Sequence, residues 1–185
     1  MKYRYALSLT ALSFLSTSAF ALEYPVGHPI IKNGMEIQGV YLQPITMDTE
    51  EGHHAMNHLA ADKADIHLEA DIHATEDNPN GFAEGDWIPY LTVEYTVTKS
   101  DAPAKKQQGV FMAMVANDGP HYGENLKLDG NGQYNVTYKI YPPSYNKDIA
   151  FGRHIDKETG VAPWFEPFEV SWDFTYSGTG RKGSY

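Results

Sequence analysis

Apolar side chains recur at every second position along much of this sequence, and that period restricts the chain to extended structure. Phe168, Val170, Trp172, Phe174 and Tyr176 alternate with Glu169, Ser171, Asp173 and Thr175, and successive side chains of a strand point to opposite faces of its sheet. The same alternation runs through Leu91, Val93, Tyr95 and Val97, and through Tyr134, Val136, Tyr138 and Ile140. Met35 to Thr46, Asp65 to His73 and the short apolar stretch Gly109 to Ala116 read as further strands, the last buried on both faces. Turn clusters separate them, among them Asp77-Asn78-Pro79-Asn80-Gly81, Asn117-Asp118-Gly119-Pro120 and Asp129-Gly130-Asn131-Gly132. Six strands with room for one or two more predict an all-β fold, an immunoglobulin-like antiparallel β-sandwich. Only Gly52 to Lys63 reads as helical, for two or three turns, and the glycine-rich tail from Ser177 reads as mobile or docked on a partner.

The first 21 residues carry a different signal. Lys2 and Arg4 precede a largely apolar run, Ala6 to Phe14, and Ala19-Phe20-Ala21 is a small-x-small cleavage site. That is the pattern of a secretory signal peptide, and the run is well short of the ~20 residues that span a bilayer. The expected organisation is a signal peptide over 1–21 and a single metal-binding sandwich domain over 22–185, located in the periplasm. The chain contains no cysteine, which excludes disulfides, thiolate metal sites, thioether haem attachment and lipoprotein anchoring. With 14 basic against 24 acidic side chains, the net charge of −10 repels phosphate backbones and attracts cations. No nucleic-acid partner is expected.

In Asp65-Ile66-His67-Leu68-Glu69-Ala70-Asp71-Ile72-His73 the strand period sends Ile66, Leu68, Ala70 and Ile72 to the core. His67, Glu69, Asp71 and His73 then share the opposite face, with neighbours about 6.5 to 7 Å apart at the backbone, close enough for two long side chains to meet on one ion. A solvated polar face is the competing reading of the same pattern. A second cluster precedes it, with Met47, Asp48, Glu50, Glu51, His53, His54, Met56 and His58. Thioether favours copper(I), imidazole suits copper(II), zinc and iron, and carboxylate suits harder ions, so a Met and His mixture points toward copper. A polar loop in which Met47 and Met56 simply pack is the alternative. Met112 and Met114 share one strand face, and the turn after them brings His121 back toward the strand end. His154 stands alone in a loop.

The strand Asp65 to His73, then Met114 with His121 seven residues on in an Asn-Asp-Gly-Pro-His turn, then His154, resembles the periplasmic copper-containing proteins of bacterial ferrous-iron uptake. The likeness extends over the start Tyr24-Pro25-Val26-Gly27 and the end strand Trp164 to Tyr176. It implies an immunoglobulin-like homodimer with one copper site per protomer, encoded with an inner-membrane iron permease. By the resemblance, Met114, His121 and His154 are the thioether and two imidazole ligands. Glu69 is the carboxylate ligand, and His67 joins when copper takes a neighbouring position. The Met47 to His58 loop receives no role from the resemblance.

Thioether with two imidazoles suits copper(I), and an added carboxylate and imidazole suit copper(II). The expected function is therefore copper binding in the service of iron uptake, with iron captured for the permease and a weak copper-dependent oxidation of Fe(II) as its only enzymatic aspect. Iron, for which manganese can substitute, is expected at an oxygen-rich site near His67 and Glu69. Asp71, His73 and Asp118 are the candidates, either as ligands or as residues that orient imidazoles. The rival from another class is a copper buffer or chaperone without a role in iron. The tyrosines and tryptophans alternate strictly with polar residues, which makes most of them core and leaves no glycan surface. No G-x-S-x-G elbow is present to support a hydrolase.

Overall fold

The structure is a computed structural model and describes residues 23–48 and 58–180. The expected signal peptide, the tail beyond residue 180 and most of the Met/His cluster, including His53, His54 and Met56, lie outside the described residues. Ten strands build two antiparallel sheets packed face to face: β1 Tyr24–Pro25, β2 Ile30–Lys32, β3 Met35–Leu42, β4 Ile66–Ala74, β5 Thr92–Lys99, β6 Lys106–Val110, β7 Met112–Ala116, β8 Gly119–Leu126, β9 Gly132–Tyr141 and β10 Phe168–Tyr176. One sheet runs β1-β3-β4-β8-β7, with β2 also paired to β3, and the other runs β10-β9-β5-β6. The all-β antiparallel sandwich expected from the alternation is the observed fold. No helix among the described residues is long and apolar enough to cross a membrane.

Alternation explains the core. Ile66, Leu68, Ala70 and Ile72 of β4 face Val136, Tyr138 and Ile140 of β9 and Val170, Trp172 and Phe174 of β10 in one buried cluster. Each such aliphatic or aromatic side chain contributes about 1.5 to 3 kcal/mol when removed from water. Buried tyrosines need partners for their hydroxyls, and they find them across the sandwich. Tyr138 of β9 donates to the backbone carbonyl of Glu69 at 2.9 Å. Gly39 of β3 leaves the gap through which it reaches, since a Cβ there would lie 3.2 Å from the Tyr138 oxygen. Tyr122 of β8 donates to the Ile88 carbonyl at 2.7 Å and accepts from Leu91 N–H at 3.0 Å, fixing the segment that leads into β5.

Two expectations are corrected. The strand read as Gly109 to Ala116 is two strands in different sheets: β6 pairs with β5 and β7 with β8. Between them Phe111 is buried and its N–H bonds to the Val93 carbonyl at 2.9 Å, so the backbone crosses the core here and neither half is covered on both faces. The helix read over Gly52 to Lys63 is, in its described part, a single turn closed by Ala64 N–H to the Ala60 carbonyl. One strand has no counterpart among the expectations: Gly119 to Leu126 shows no strand period in the sequence beyond the turn that opens it, yet it is a full strand paired with β4 on one side and β7 on the other.

Candidate metal centre

Three neighbouring strands bring the site together on the outer face of the larger sheet. In β4, His67 and Glu69 project away from the core, opposite Asn125 and Gly123 of β8. His121 lies two residues before Gly123 on the same face of β8, and Met114 of β7 is its direct cross-strand partner. At the cluster this face is shielded from solvent: His67 is 0% exposed, and Glu69 and His121 are buried, whereas Asp71 and His73 further along it are half-buried.

Glu69 Oε1 lies 3.4 Å from His67 Nε2 and 3.2 Å from His121 Nε2. Neither nitrogen has a hydrogen-bond partner among the described residues, so the three atoms converge without satisfying one another. A first-row metal ion with imidazole bonds of about 2.0 to 2.1 Å holds adjacent donors about 3 Å apart, which is the spacing found. One ligand atom from each residue falls within 4.8 Å of the others. The rings stand 74° apart with centroids separated by 6.0 Å.

The surrounding residues fix the tautomer. The Asn125 amide donates to the Ile45 and Leu59 carbonyls at 2.9 and 2.8 Å, which leaves its Oδ1 to accept from His67 Nδ1–H at 3.0 Å. His67 therefore presents the lone pair of Nε2 to the centre, the usual preparation of an imidazole ligand. Gly123 supplies the space, for a Cβ there would sit 2.6 Å from His67 Nε2.

Electrostatics favour a cation. Burial, with smaller repulsions from His121 and His58, lowers the His67 pKa to about 4, and burial also lowers that of His121. Burial together with Asp71, Glu23 and Asp118 raises Glu69 to about 8, and burial with Glu23 and Asp118 raises Asp71 to about 7. Near neutral pH the imidazoles are thus uncharged donors, and the carboxyl keeps a proton that a bound cation displaces. Burial and the neighbouring Asp118 likewise raise Glu23. These groups open into a cleft of about 610 Å³ lined by Glu23, Glu36, Asp71, His73, Asp86 and Asp118 as well as Glu69 and His121, with no lysine or arginine on its wall.

A family model described as Fe2+ transport protein matches residues 20–178. The chain belongs to that family. Within the Fe2+ transport protein family, or beside it by sequence, stand a UPF0423 protein of Brucella abortus, 54% identical over 99% of this chain and 98% of its own, and the 34 kDa membrane antigen of Treponema pallidum, 38% identical over 84% and 75%. The solved structure of the FetP protein of uropathogenic Escherichia coli is 54% identical, with a TM-score of 0.76 over 85% of this chain and 97% of that one. Copper-reconstituted P19 protein from Campylobacter jejuni is 49% identical, with a TM-score of 0.77 over 86% and 99%. Copper-bound forms of P19 also exist with a Glu-to-Gln, an Asp-to-His or a Met-to-Ile substitution.

Of the residues singled out in the sequence, His67, Glu69 and His121 form the cluster, Met114 is half-buried beside it on the same face, and Asp71, His73 and Asp118 line the adjoining cleft. His154 is elsewhere: its side chain is 75% exposed in the segment between β9 and β10, and its Nδ1 lies 2.8 Å from Thr159 Oγ1. Sequence reasoning missed Glu36, which alternation of β3 places on the site face opposite His73, as well as Glu23, Gly123 and Asn125. Only pairing with β4 reveals the last two.

Proposed function

We propose that this protein is a periplasmic, copper-binding accessory of iron uptake that captures iron and presents it to an inner-membrane iron permease. The convergence of His67 Nε2, His121 Nε2 and Glu69 Oε1, two of them buried without hydrogen-bond partners, carries the reading. Two neutral imidazoles, a carboxylate and the Met114 thioether across the strand pair offer copper both harder and softer donors. Copper supplies one-electron exchange when bound. His67 and His121 hold their lone pairs toward the centre, Glu69 releases its proton to the incoming cation, and Gly123 keeps the space open. In P19 the substituted Met and Asp are four positions apart, the spacing of Met114 and Asp118 here, which supports giving those two residues comparable places.

The imidazole of His154 is exposed and takes no part in the cluster of its own chain, and in this reading it serves the centre of a second copy in a homodimer. Iron is the cargo of the acidic cleft, where Asp71, His73 and Asp118 offer the oxygen-rich set that hard cations prefer. Metal analysis after loading with copper(II), iron, manganese and zinc tests the assignment: one tightly held copper(II) per chain is expected, weakened at least tenfold by Glu69→Gln, His121→Ala or Met114→Leu. Unchanged copper affinity in all three variants refutes it. Manganese, a redox-stable stand-in for Fe(II), should bind the copper-loaded protein and lose affinity in Asp71→Asn with Asp118→Asn. Poor growth of a deletion strain under iron limitation, with normal copper tolerance, separates iron uptake from copper buffering.

A further inference from the structure

Among the described residues three imidazole nitrogens are buried without a hydrogen-bond partner: Nε2 of His67, of His121 and of His58. The first two meet at the centre above. His58 belongs to neither the centre nor its acidic cleft, yet it is prepared in the same way. Its Nδ1 lies 2.8 Å from Glu124 Oε1, and both side chains are only 8% exposed. A carboxylate can only accept, so Nδ1 carries the hydrogen and the lone pair stays on Nε2. A carboxylate behind an imidazole is the arrangement that orients a metal-binding histidine and raises its basicity.

We propose that His58 and Met47 form a second metal site, selective for copper(I), in the cleft on the far side of Asn125. That cleft has a volume of about 440 Å³, and its wall includes Met47, His58, Ile45, Leu59 and Asn125. Met47 is half-buried there. One thioether and one imidazole, on a wall that mixes Ile45, Leu59 and Ala60 with Thr46, Asp62 and Asn125, suit a soft monovalent ion that accepts low coordination, and as a donor pair offer little to iron or manganese. Glu124 strengthens the case, because it occupies a core-side position of β8, opposite Leu68, where an ionised carboxylate is costly and a packed apolar pair would serve stability as well.

The two sites share a backbone hinge. Glu124 Oε1 also accepts from the Asn125 N–H at 2.9 Å, and Asn125 Oδ1 accepts from His67 at 3.0 Å. Consecutive residues of one strand thus hold an imidazole of each site, on opposite faces of the sheet. Copper(I) held by His58 and Met47 waits one residue away from the centre that His67 completes.

Copper(I) titration of the full chain without oxygen, in competition with a chromogenic chelator, reads the second site as an equivalent beyond the first. Met47→Leu preserves volume and leaves the His58–Glu124 pair intact, so it should weaken the second equivalent at least tenfold with the first unaltered. His58→Gln should do the same, and His121→Ala should affect only the first. On loading, the His58 ring signals in long-range ¹H–¹⁵N spectra should report metal at Nε2 with Nδ1 still protonated. A second equivalent that survives both Met47→Leu and His58→Gln places the copper elsewhere and overturns the proposal. So does a titration that stops at one equivalent in wild type, or His58 signals that stay fixed through it. A failure of the His67–Glu69–His121 assignment would appear separately, as insensitivity of the first equivalent to His121→Ala.

Discussion

Gly123→Ala adds one methyl group to the wall of the centre, and its effect can be worked from distances. The new Cβ would stand 2.6 Å from His67 Nε2 and 3.0 Å from its Cε1, where ordinary contacts begin near 3.4 Å. The nitrogen must therefore retreat by about 0.8 Å, or β8 must move away from β4. Retreat is opposed by the hydrogen bond that anchors the far side of the ring on Asn125 at 3.0 Å, and the ring is wholly enclosed. Overpacking of this kind costs about 1 to 3 kcal/mol of stability. The methyl also fills the space toward which the lone pair points, so copper affinity should fall by about 10- to 100-fold, the range seen when groups that orient a metal ligand are disturbed. Thermal melting of the apoprotein and copper(II) titration against a competing chelator measure the two effects. Wild-type copper affinity together with an unchanged copper spectrum would show that His67 Nε2 does not face the ion, and the placement of the centre would fall.

The apoprotein should also lose stability as pH rises from 6.5 to 8. Folded Glu69 and Asp71 keep their protons up to about pH 8 and about pH 7, whereas their ordinary values are 4.5 and 3.8, so over this interval the folded state binds more protons and stability falls with pH. His67 acts the other way, its folded value of about 4 lying below the ordinary 6.5, but most of that gain is in place by pH 6.5 and only about 0.4 kcal/mol of it remains to be added above. The net loss should be about 2 kcal/mol, seen as a lower Tm, and a flat or rising Tm contradicts it. At pH 7, copper binding should release close to one proton from Glu69, measurable as a buffer-dependent heat in calorimetry and absent in Glu69→Gln. Asn125→Ala removes the acceptor that sets the His67 tautomer and should weaken copper binding about 10- to 100-fold, whereas equal affinity would leave Asn125 a purely structural role. Tyr138→Phe removes the buried hydrogen bond from the hydroxyl to the Glu69 carbonyl and should cost about 0.5 to 1.5 kcal/mol in denaturant unfolding, and no change in the midpoint argues that the bond adds nothing to stability.

How legible these features were depends on how local their causes are. The face shared by His67, Glu69, Asp71 and His73 follows from alternation alone, because β4 carries an unbroken apolar series on its other side. β8 hides its nature: Gly119 and Pro120 read as turn residues, and the residues after them carry no alternating apolar series. It is a strand because β4 and β7 pair with it from both sides, a tertiary effect that outweighs propensity. His121 could therefore be nominated by resemblance but not placed by period. Phe111 misled in the opposite sense, since a continuous apolar stretch conceals the point where the backbone leaves one sheet for the other. The burial of His67 was also unreadable, for it arises from the flanking strands and from Ile45 and Leu59, whose carbonyls hold Asn125 over residues that are polar by composition.

Among the described residues β7 is an edge strand of the larger sheet, bound to β8 alone, while β4 is flanked on both sides. Val115, next to Met114, is 78% exposed. The amides of β4 should therefore exchange with solvent only when the whole domain opens, and those of β7 through local fraying at far lower free energy. The donors proposed for the centre are divided along the same line: nitrogen and carboxylate oxygen come from the part of the sheet that does not yield, and the Met114 sulfur from its rim. An ion bound there can gain or shed its thioether neighbour on the timescale of edge-strand breathing, without disturbing the imidazoles that retain it.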